Sequence, residues 1–302
     1  MNYTGNKKTA VALGSFDGLH KGHTSVIASA LSLRASGLFP VVLLFDEHPL
    51  KILGTPPDEI LQKHLRRKLL EEMEIEIADI SFSEICSMKA EKFFSDILLD
   101  RLNAGALCCG ENYRFGAGGK GDCTLLRELC KVSGIDLLVS ESVMFEGEPV
   151  SSTRIRTALK SGEIRTANAM LGRQFFYDGE VMRGDRRGRK MGFPTANQFF
   201  EDGFIVPAFG VYVSSVKLRG KEYCGITNIG VRPTFGKSKP RSETHIENFD
   251  GDIYGDNIEV GLIEKIRDEI KFNSMQELAE QIKKDSEAAK LIFEKRGENG
   301  CV

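Results

Sequence analysis

Through the first half of the chain, short apolar runs without polar interruption alternate with stretches of helical spacing. Val11–Leu13, residues 41–45, Ala104–Cys109 and Asp136–Ser140 read as strands. Between them, Thr24–Ser36, Ile60–Met73, Lys89–Leu102 and Asp122–Ser133 place apolar residues on one side of a helix. Strands that are apolar at successive positions are buried on both faces. The alternation therefore predicts an α/β unit whose parallel sheet is covered by helices on both sides. Ligands of such sheets gather beyond the carboxyl ends of the strands.

After about Gly172 the rhythm changes. Short strands punctuated by glycine and proline are predicted over Phe175–Val181, Gly210–Leu218, Glu222–Ile229, Glu243–Phe249 and Asn257–Ile266, the pattern of an antiparallel sheet or small β-barrel. A terminal amphipathic helix is predicted over Ser274–Arg296, opened by Ser274 and Glu277 in capping-box spacing. The 302 residues suffice for two cores. The boundary is expected within 157–175, and we set it at 165/166, giving domains 1–165 and 166–302.

Composition narrows the class. A net charge of −2 gives no basic excess for a nucleic-acid surface, so no nucleic-acid partner is expected. No apolar run is long enough to span a membrane, and the residues after Met1 lack the apolar core of a signal peptide, so a cytoplasmic protein without a membrane partner is expected. The seven cysteines show no CxxC pair or zinc spacing; Cys108 and Cys109 lie in an apolar run and read as buried reduced thiols. Oligomeric state is not readable.

Candidate chemistry begins where the first strand hands over to the first helix, at Gly14-Ser15-Phe16-Asp17-Gly18-Leu19-His20-Lys21-Gly22-His23. Backbone N–H groups and the positive end of a helix dipole converge there, which suits phosphate. Two imidazoles three residues apart, in a chain with five histidines, add groups able to stabilise charge on a transferring phosphate. Phe45-Asp46-Glu47-His48-Pro49 closes the second strand. Gly110–Gly116 sets Asn112, Tyr113, Arg114 and Phe115 between glycines, where aromatics suit a flat ring and an amide can read its edge. Ser151-Ser152-Thr153-Arg154-Ile155-Arg156 precedes a helix; hydroxyls there can cap, while two arginines oppose the dipole and point to an anion.

In the second half, the glycine- and arginine-rich loop Gly184–Arg189 can wrap phosphates or form a solvated basic turn. It leads into Pro194-Thr195-Ala196-Asn197, where Thr195 and Asn197 can face one side of an extended segment and offer hard oxygens suited to Mg²⁺. Asn228–Thr234 follows a strand, and Glu243 opens another, where an acid can act as general base or be merely solvated.

Together these segments resemble the prokaryotic bifunctional riboflavin kinase/FMN adenylyltransferase family, often called FAD synthetase, in order and over nearly the whole chain. Val11–His23 is similar to its GxFDGxHxGH motif, Gly179–Asn197 to its PTAN signature, Asn228–Phe235 and Glu243–Gly255 to its flavin-side and catalytic segments, and Ile266–Glu269 to its closing LRDE-like stretch. Glu47 and Asn112 depart from a common proline and aspartate. The resemblance implies a Rossmann-like nucleotidyltransferase unit followed by a riboflavin-kinase-like barrel with a terminal helix. It implies riboflavin, FMN and ATP as small-molecule substrates, with Mg²⁺ as cofactor. His20 and His23 would act in adenylyl transfer, with Gly14, Phe16, Asp17, Gly18, Ser152, Thr153 and Arg156 binding ATP. Gly184 and Arg189 would bind phosphate in the kinase half. Asn112, Phe115, Arg232 and Arg267 would contact flavin, Thr195 and Asn197 the metal, and Glu243 would be the kinase base. Two other readings remain: an adenylyltransferase for another phosphate ester with an inert barrel, and a flavin-binding regulator without turnover.

Overall fold

In the computed structural model, the residues described are 7–46, 54, 56–183, 193–231 and 239–298. Contacts divide the chain into two units, Met1–Ser151 and Ser152–Val302.

The first unit is built on a five-stranded parallel sheet in the order β3-β2-β1-β4-β5: β1 (Thr9–Leu13), β2 (Phe39–Phe45), β3 (Glu76–Ile80), β4 (Ala104–Gly110) and β5 (Asp136–Ser140). Every residue of β1 is buried, as a central strand covered on both faces requires. The main helices are α1 (Lys21–Ser32), α2 (Lys63–Glu72), α3 (Ala90–Lys92, continuing as a π-helix over Phe93–Arg101) and α4 (Cys123–Ser133), with one further turn at Phe82–Ile85. One apolar cluster, with Leu13, Leu43, Phe94, Leu98 and Leu107, fills one side of the sheet. Asp122 caps α4, its carboxylate accepting from the N–H groups of Thr124 and Leu125 at 3.0 Å each. A small hairpin, β6 (Met144–Phe145) with β7 (Glu148–Pro149), ends the unit.

Two differences from expectation have clear causes. Helix α1 starts three residues before Thr24, because the His20 ring caps it, and a 3₁₀ turn takes over at Leu33–Ser36. Strand β3 was not expected: Glu76 and Asp79 break its apolar run, which an edge strand tolerates because it pairs on one side only.

The second unit opens with α5 (Ser152–Ser161) and α6 (Ile164–Leu171). The expected border at 165/166 thus falls inside α6, which is tied to the sheet that follows. Asn168 donates through Nδ2 to the Leu262 carbonyl at 2.9 Å, and its Oδ1 accepts from the Phe175 N–H at 2.6 Å. Six antiparallel strands follow in the order β8-β13-β10-β11-β12-β9: β8 (Phe175–Glu180), β9 (Thr195–Phe199), β10 (Gly210–Leu218), β11 (Lys221–Gly230), β12 (Arg241–Ile246) and β13 (Asn257–Arg267). The two outer strands meet. Just beyond β8, Met182 donates from its N–H to the Asn197 carbonyl of β9 at 2.8 Å, and Gln198 Nε2 donates to the Gly179 carbonyl at 2.8 Å. The sheet thereby closes toward the barrel that was expected. Its interior is partly polar: the hydroxyls of Ser214, Thr227 and Thr244 form a fully buried chain with links of 2.8 and 2.9 Å.

Helix α7 (Met275–Glu298) lies on the outer face, where Ala289 and Ile292 pack against Val211, Val213 and Ile226. The capping box at its start is formed, with the Glu277 N–H donating to Ser274 Oγ at 3.1 Å.

Candidate active sites

In the first unit the β1–α1 junction is a tight, left-handed loop. Phe16, Gly18 and Leu19 have φ of 52°, 79° and 41°. Glycine is required at 18: a Cβ there would meet the Ile60 side chain at 3.1 Å, besides the positive φ. The turn places His20 at the N-cap of α1, where Nδ1 accepts from the His23 N–H at 3.4 Å. The two rings stack at 3.7 Å with planes 16° apart. Gly22 admits this pairing, since a Cβ there would approach the His20 ring at 3.2 Å. Two imidazoles are therefore held as one stack at a helix start, an arrangement able to meet developing negative charge on phosphate.

Three residues expected to bind ligand have buried side chains. Phe16 is fully buried, its ring under Gly14 and tilted against His23 at 5.4 Å. Asp17 is also buried, and its Oδ1 accepts from the Ile60 N–H at 3.0 Å, fastening the loop to the segment before α2. Phe115 packs into the core beside Phe93 and Tyr113, so the loop after β4 does not present it as an open aromatic surface. In each case the buried side chain fastens the backbone of its loop to the core. Burial pushes the Tyr113 hydroxyl pKa well above the usual tyrosine range. Asn112 is exposed at the tip of that loop. Gly116, with φ 71°, lies where a Cβ would meet the Ala90 backbone at 2.7 Å.

Ser152, Thr153 and Arg156 occupy the first turns of α5; Thr153 is exposed, while Ser152 and Arg156 are half-buried beside Ile155 and Leu159. Gly184, Arg189 and Arg232, with Glu47-His48-Pro49, lie outside the described residues. Cys108 and Cys109 are buried free thiols, as expected; Cys109 Sγ is 3.8 Å from Cys123 Sγ.

In the second unit the strand register assembles the site. Arg267 pairs with Val211, Val211 with Asn228, Asn228 with Glu243, and Glu243 with Asn197. Cross-strand partners share a face. Five adjacent strands thus line up Arg267, Val211, Asn228, Glu243 and Asn197 in one row. The next row along the strands is Val213, Ile226, His245 and Thr195. These rows open on a cavity of about 920 Å³, also lined by Glu269, Phe272 and the α7 residues Leu278, Ile282 and Asp285. Thr195, Asn197, Glu243 and Arg267, far apart in sequence, meet in this one cavity.

Each polar group there is oriented. Arg241 Nη2 lies 2.6 Å from Glu243 Oε1, with both side chains largely buried. Sequence reasoning passed over Arg241, although it sits two residues before Glu243 on the same face. Asn197 Nδ2 donates to the Thr195 carbonyl at 3.3 Å, which leaves its Oδ1 as the atom able to ligate a cation. Among the described residues no group of three His, Cys, Asp or Glu could hold a metal alone. Two hard side-chain oxygens completed by phosphate and water fit Mg²⁺, which keeps waters and shares nucleotide phosphates. Arg267 differs from expectation. Its guanidinium forks onto buried Asp285 of α7 at 2.8–3.1 Å and donates to the Asp268 carbonyl at 3.0 Å, so it braces the cavity wall instead of offering a free cation. Glu269 was also passed over; Asn228 Nδ2 reaches its Oε1 at 3.5 Å.

A nucleotide-type α/β unit followed by a six-stranded barrel with an acid–amide–hydroxyl cavity defines a phosphoryl- and nucleotidyl-transfer class of protein. Comparison with known proteins sharpens it. The FAD synthetase family model matches residues 3–154 and the riboflavin kinase model residues 171–293. The bifunctional riboflavin kinase/FMN adenylyltransferase of Bacillus subtilis (strain 168) is 35% identical over 295 residues, covering 95% of this chain and 93% of the relative. That of Escherichia coli (strain K12) is 34% identical over 289 residues, covering 94% and 92%. A crystal structure described as a macrolide-efflux protein from Streptococcus pneumoniae superposes with a TM-score of 0.87 at 33% identity over 95% of both chains. Among the described residues of this chain no helix is long and apolar enough to cross a membrane. The chain belongs to the bifunctional riboflavin kinase/FMN adenylyltransferase family.

Proposed function

We propose that residues 166–302 phosphorylate riboflavin to FMN with ATP and that residues 1–165 adenylylate FMN to FAD with a second ATP, releasing pyrophosphate. The observation that carries the kinase half is the row in which Asn197, Glu243 and Asn228 meet across neighbouring strands beside Thr195. Glu243, oriented by Arg241, takes the proton from the riboflavin 5′-hydroxyl as that oxygen attacks the γ-phosphorus and ADP leaves. Thr195 and Asn197 hold Mg²⁺, which neutralises charge on the phosphates when bound with ATP. The apolar cavity wall of Phe272, Leu278 and Ile282 suits the flat isoalloxazine ring, and Arg267 keeps that wall in place through Asp285. Gly184 and Arg189 wrap phosphate, and Arg232 lies on the flavin side.

In adenylyl transfer a phosphate oxygen of FMN attacks the α-phosphorus of ATP and the bond to pyrophosphate breaks. No covalent enzyme intermediate is needed, so positioning and charge do the catalysis. His20 and His23 stabilise the charge, and Gly14, Phe16, Asp17 and Gly18 shape the loop that carries them. Ser152, Thr153 and Arg156 hold the triphosphate, while Asn112 and the loop supported by Phe115 place FMN. These small-molecule substrates suit a cytoplasmic setting.

The test is a time course with purified protein, riboflavin, ATP and Mg²⁺, with flavins separated chromatographically. FMN is expected first and FAD second. FMN that never proceeds to FAD sinks the adenylyltransferase assignment, and unchanged riboflavin sinks the kinase one.

A further inference from the structure

His245 follows Glu243 by two residues and faces the same cavity, yet the proton transfer and metal ligation described above make no use of it. Its surroundings define one job. Nδ1 lies 2.9 Å from the Pro194 carbonyl oxygen. A carbonyl only accepts, so Nδ1 carries the hydrogen and donates. The ring also meets Phe193 edge-on at 5.4 Å and stands opposite Thr195 in the β9–β12 register. One imidazole thus grips the backbone just before the Thr195–Asn197 pair.

The other side of the ring is backed as well. Nε2 lies 3.8 Å from Oε1 of Glu247, a carboxylate only 7% exposed. Glu247 in turn accepts from Ser286 Oγ and from Lys290 Nζ at 3.1 Å, both on α7. Glu247, anchored from the terminal helix, thus lies behind the ring, while the hydrogen bond from His245 reaches the start of β9. The Nδ1–H bond to the Pro194 carbonyl and the edge contact with Phe193 fix the ring, which is what a positioning side chain needs to hold a ligand within tenths of an ångström.

We infer that His245 is a positioning residue of the kinase site, holding Pro194 through its Nδ1–H so that Thr195 and Asn197 present their oxygens to Mg·ATP. The inference rests on the kinase reading above. It differs from a general packing role in depending on one hydrogen at one ring position. Asparagine can supply that donor, because its Nδ2 sits near the place of Nδ1; glutamine reaches toward the Nε2 place, and alanine supplies nothing.

The test uses the full-length chain and two readouts. In FMN formation, His245→Ala and His245→Gln are expected to raise KM for Mg·ATP about tenfold, the scale of one lost hydrogen bond, with kcat changed much less. His245→Asn is expected to stay within about twofold of the parent on that scale. Independently of turnover, long-range ¹⁵N–¹H spectra of the histidine rings should show a Nδ1–H tautomer that His245→Asn removes. That signal should move when Mg·ADP is added to the unmutated protein. An asparagine variant as impaired as alanine, an alanine variant with unchanged KM, or a ring signal indifferent to Mg·ADP would each overturn the inference. A parent protein that makes no FMN sinks the kinase reading instead, and the ring spectra still decide the Pro194 contact.

Discussion

At the scale of single residues the groups proposed to act directly in the two reactions differ, and that makes reciprocal substitutions decisive. Glu243 and Arg241 lie in the second unit, and the His20–His23 stack lies in the first. Glu243→Gln keeps the shape but removes the base. It should slow FMN formation by about a hundredfold or more, while conversion of supplied FMN to FAD is spared. His20→Ala should cost FAD formation about a hundredfold and leave FMN formation intact. Chromatographic rates for both products check this pair, and parallel loss in either variant would refute independent sites. His20, His23, Asn197 and Glu243 could be picked out as candidates because the proposed chemistry needs those residue types at that spacing. The burial of Phe16, Asp17 and Phe115 was not readable. It depends on a positive φ at Phe16, on a carboxylate partner at Ile60 far along the chain, and on packing from Phe93.

At the scale of elements, runs of apolar residues gave away the strands that are buried on both faces. Strand β9 was readable only as an extended segment at Thr195 and Asn197, because Thr-Ala-Asn-Gln-Phe lacks an apolar run. Its buried amide finds acceptors only in the assembled barrel: Gln198 is 2% exposed and its Nε2 donates to the Gly179 and Ile258 carbonyls. The terminal helix was readable from its amphipathic spacing, but its anchor was not. Arg267 and Asp285 form a largely buried, forked pair between β13 and α7. Removing one partner strands the other charge, so Asp285→Asn should destabilise the second unit by about 3 kcal/mol or more. It should also weaken riboflavin phosphorylation, because α7 forms one wall of the cavity. Thermal unfolding together with KM for riboflavin checks both effects, and a variant as stable as the parent would show that the helix is held by its apolar face alone.

For the whole molecule, buried thiols set a shared response to alkali. Burial raises the pKa of Cys108 from an ordinary 9.0 to about 12 and that of Cys130 to about 11 in the first unit. It raises Cys224 to about 11 in the second, with nearby Glu247 adding to the shift. The folded chain therefore keeps these protons at pH values where the unfolded chain releases them. Their contribution is whole below about pH 9 and is lost as pH climbs through 11 to 12. Lys290, raised by its hydrogen bond to Glu247, changes in the same sense. Denaturation midpoints of both units should be lower at pH 10 than at pH 8, and a midpoint that does not fall would contradict the assignment.

Strand pairing also bears on how the chain is made. The last strand of the parallel sheet, β5, ends at Ser140, so all five of its strands exist before the barrel begins. The barrel is different: β8, its first strand in sequence, pairs with β13, its last, through contacts such as Tyr177 with Val260. On a ribosome the leading unit can finish folding while the chain still grows. The first strand of the trailing unit must wait for nearly all of the remaining sequence to emerge. During translation, the half that makes FAD is thus ready before the half that makes its FMN.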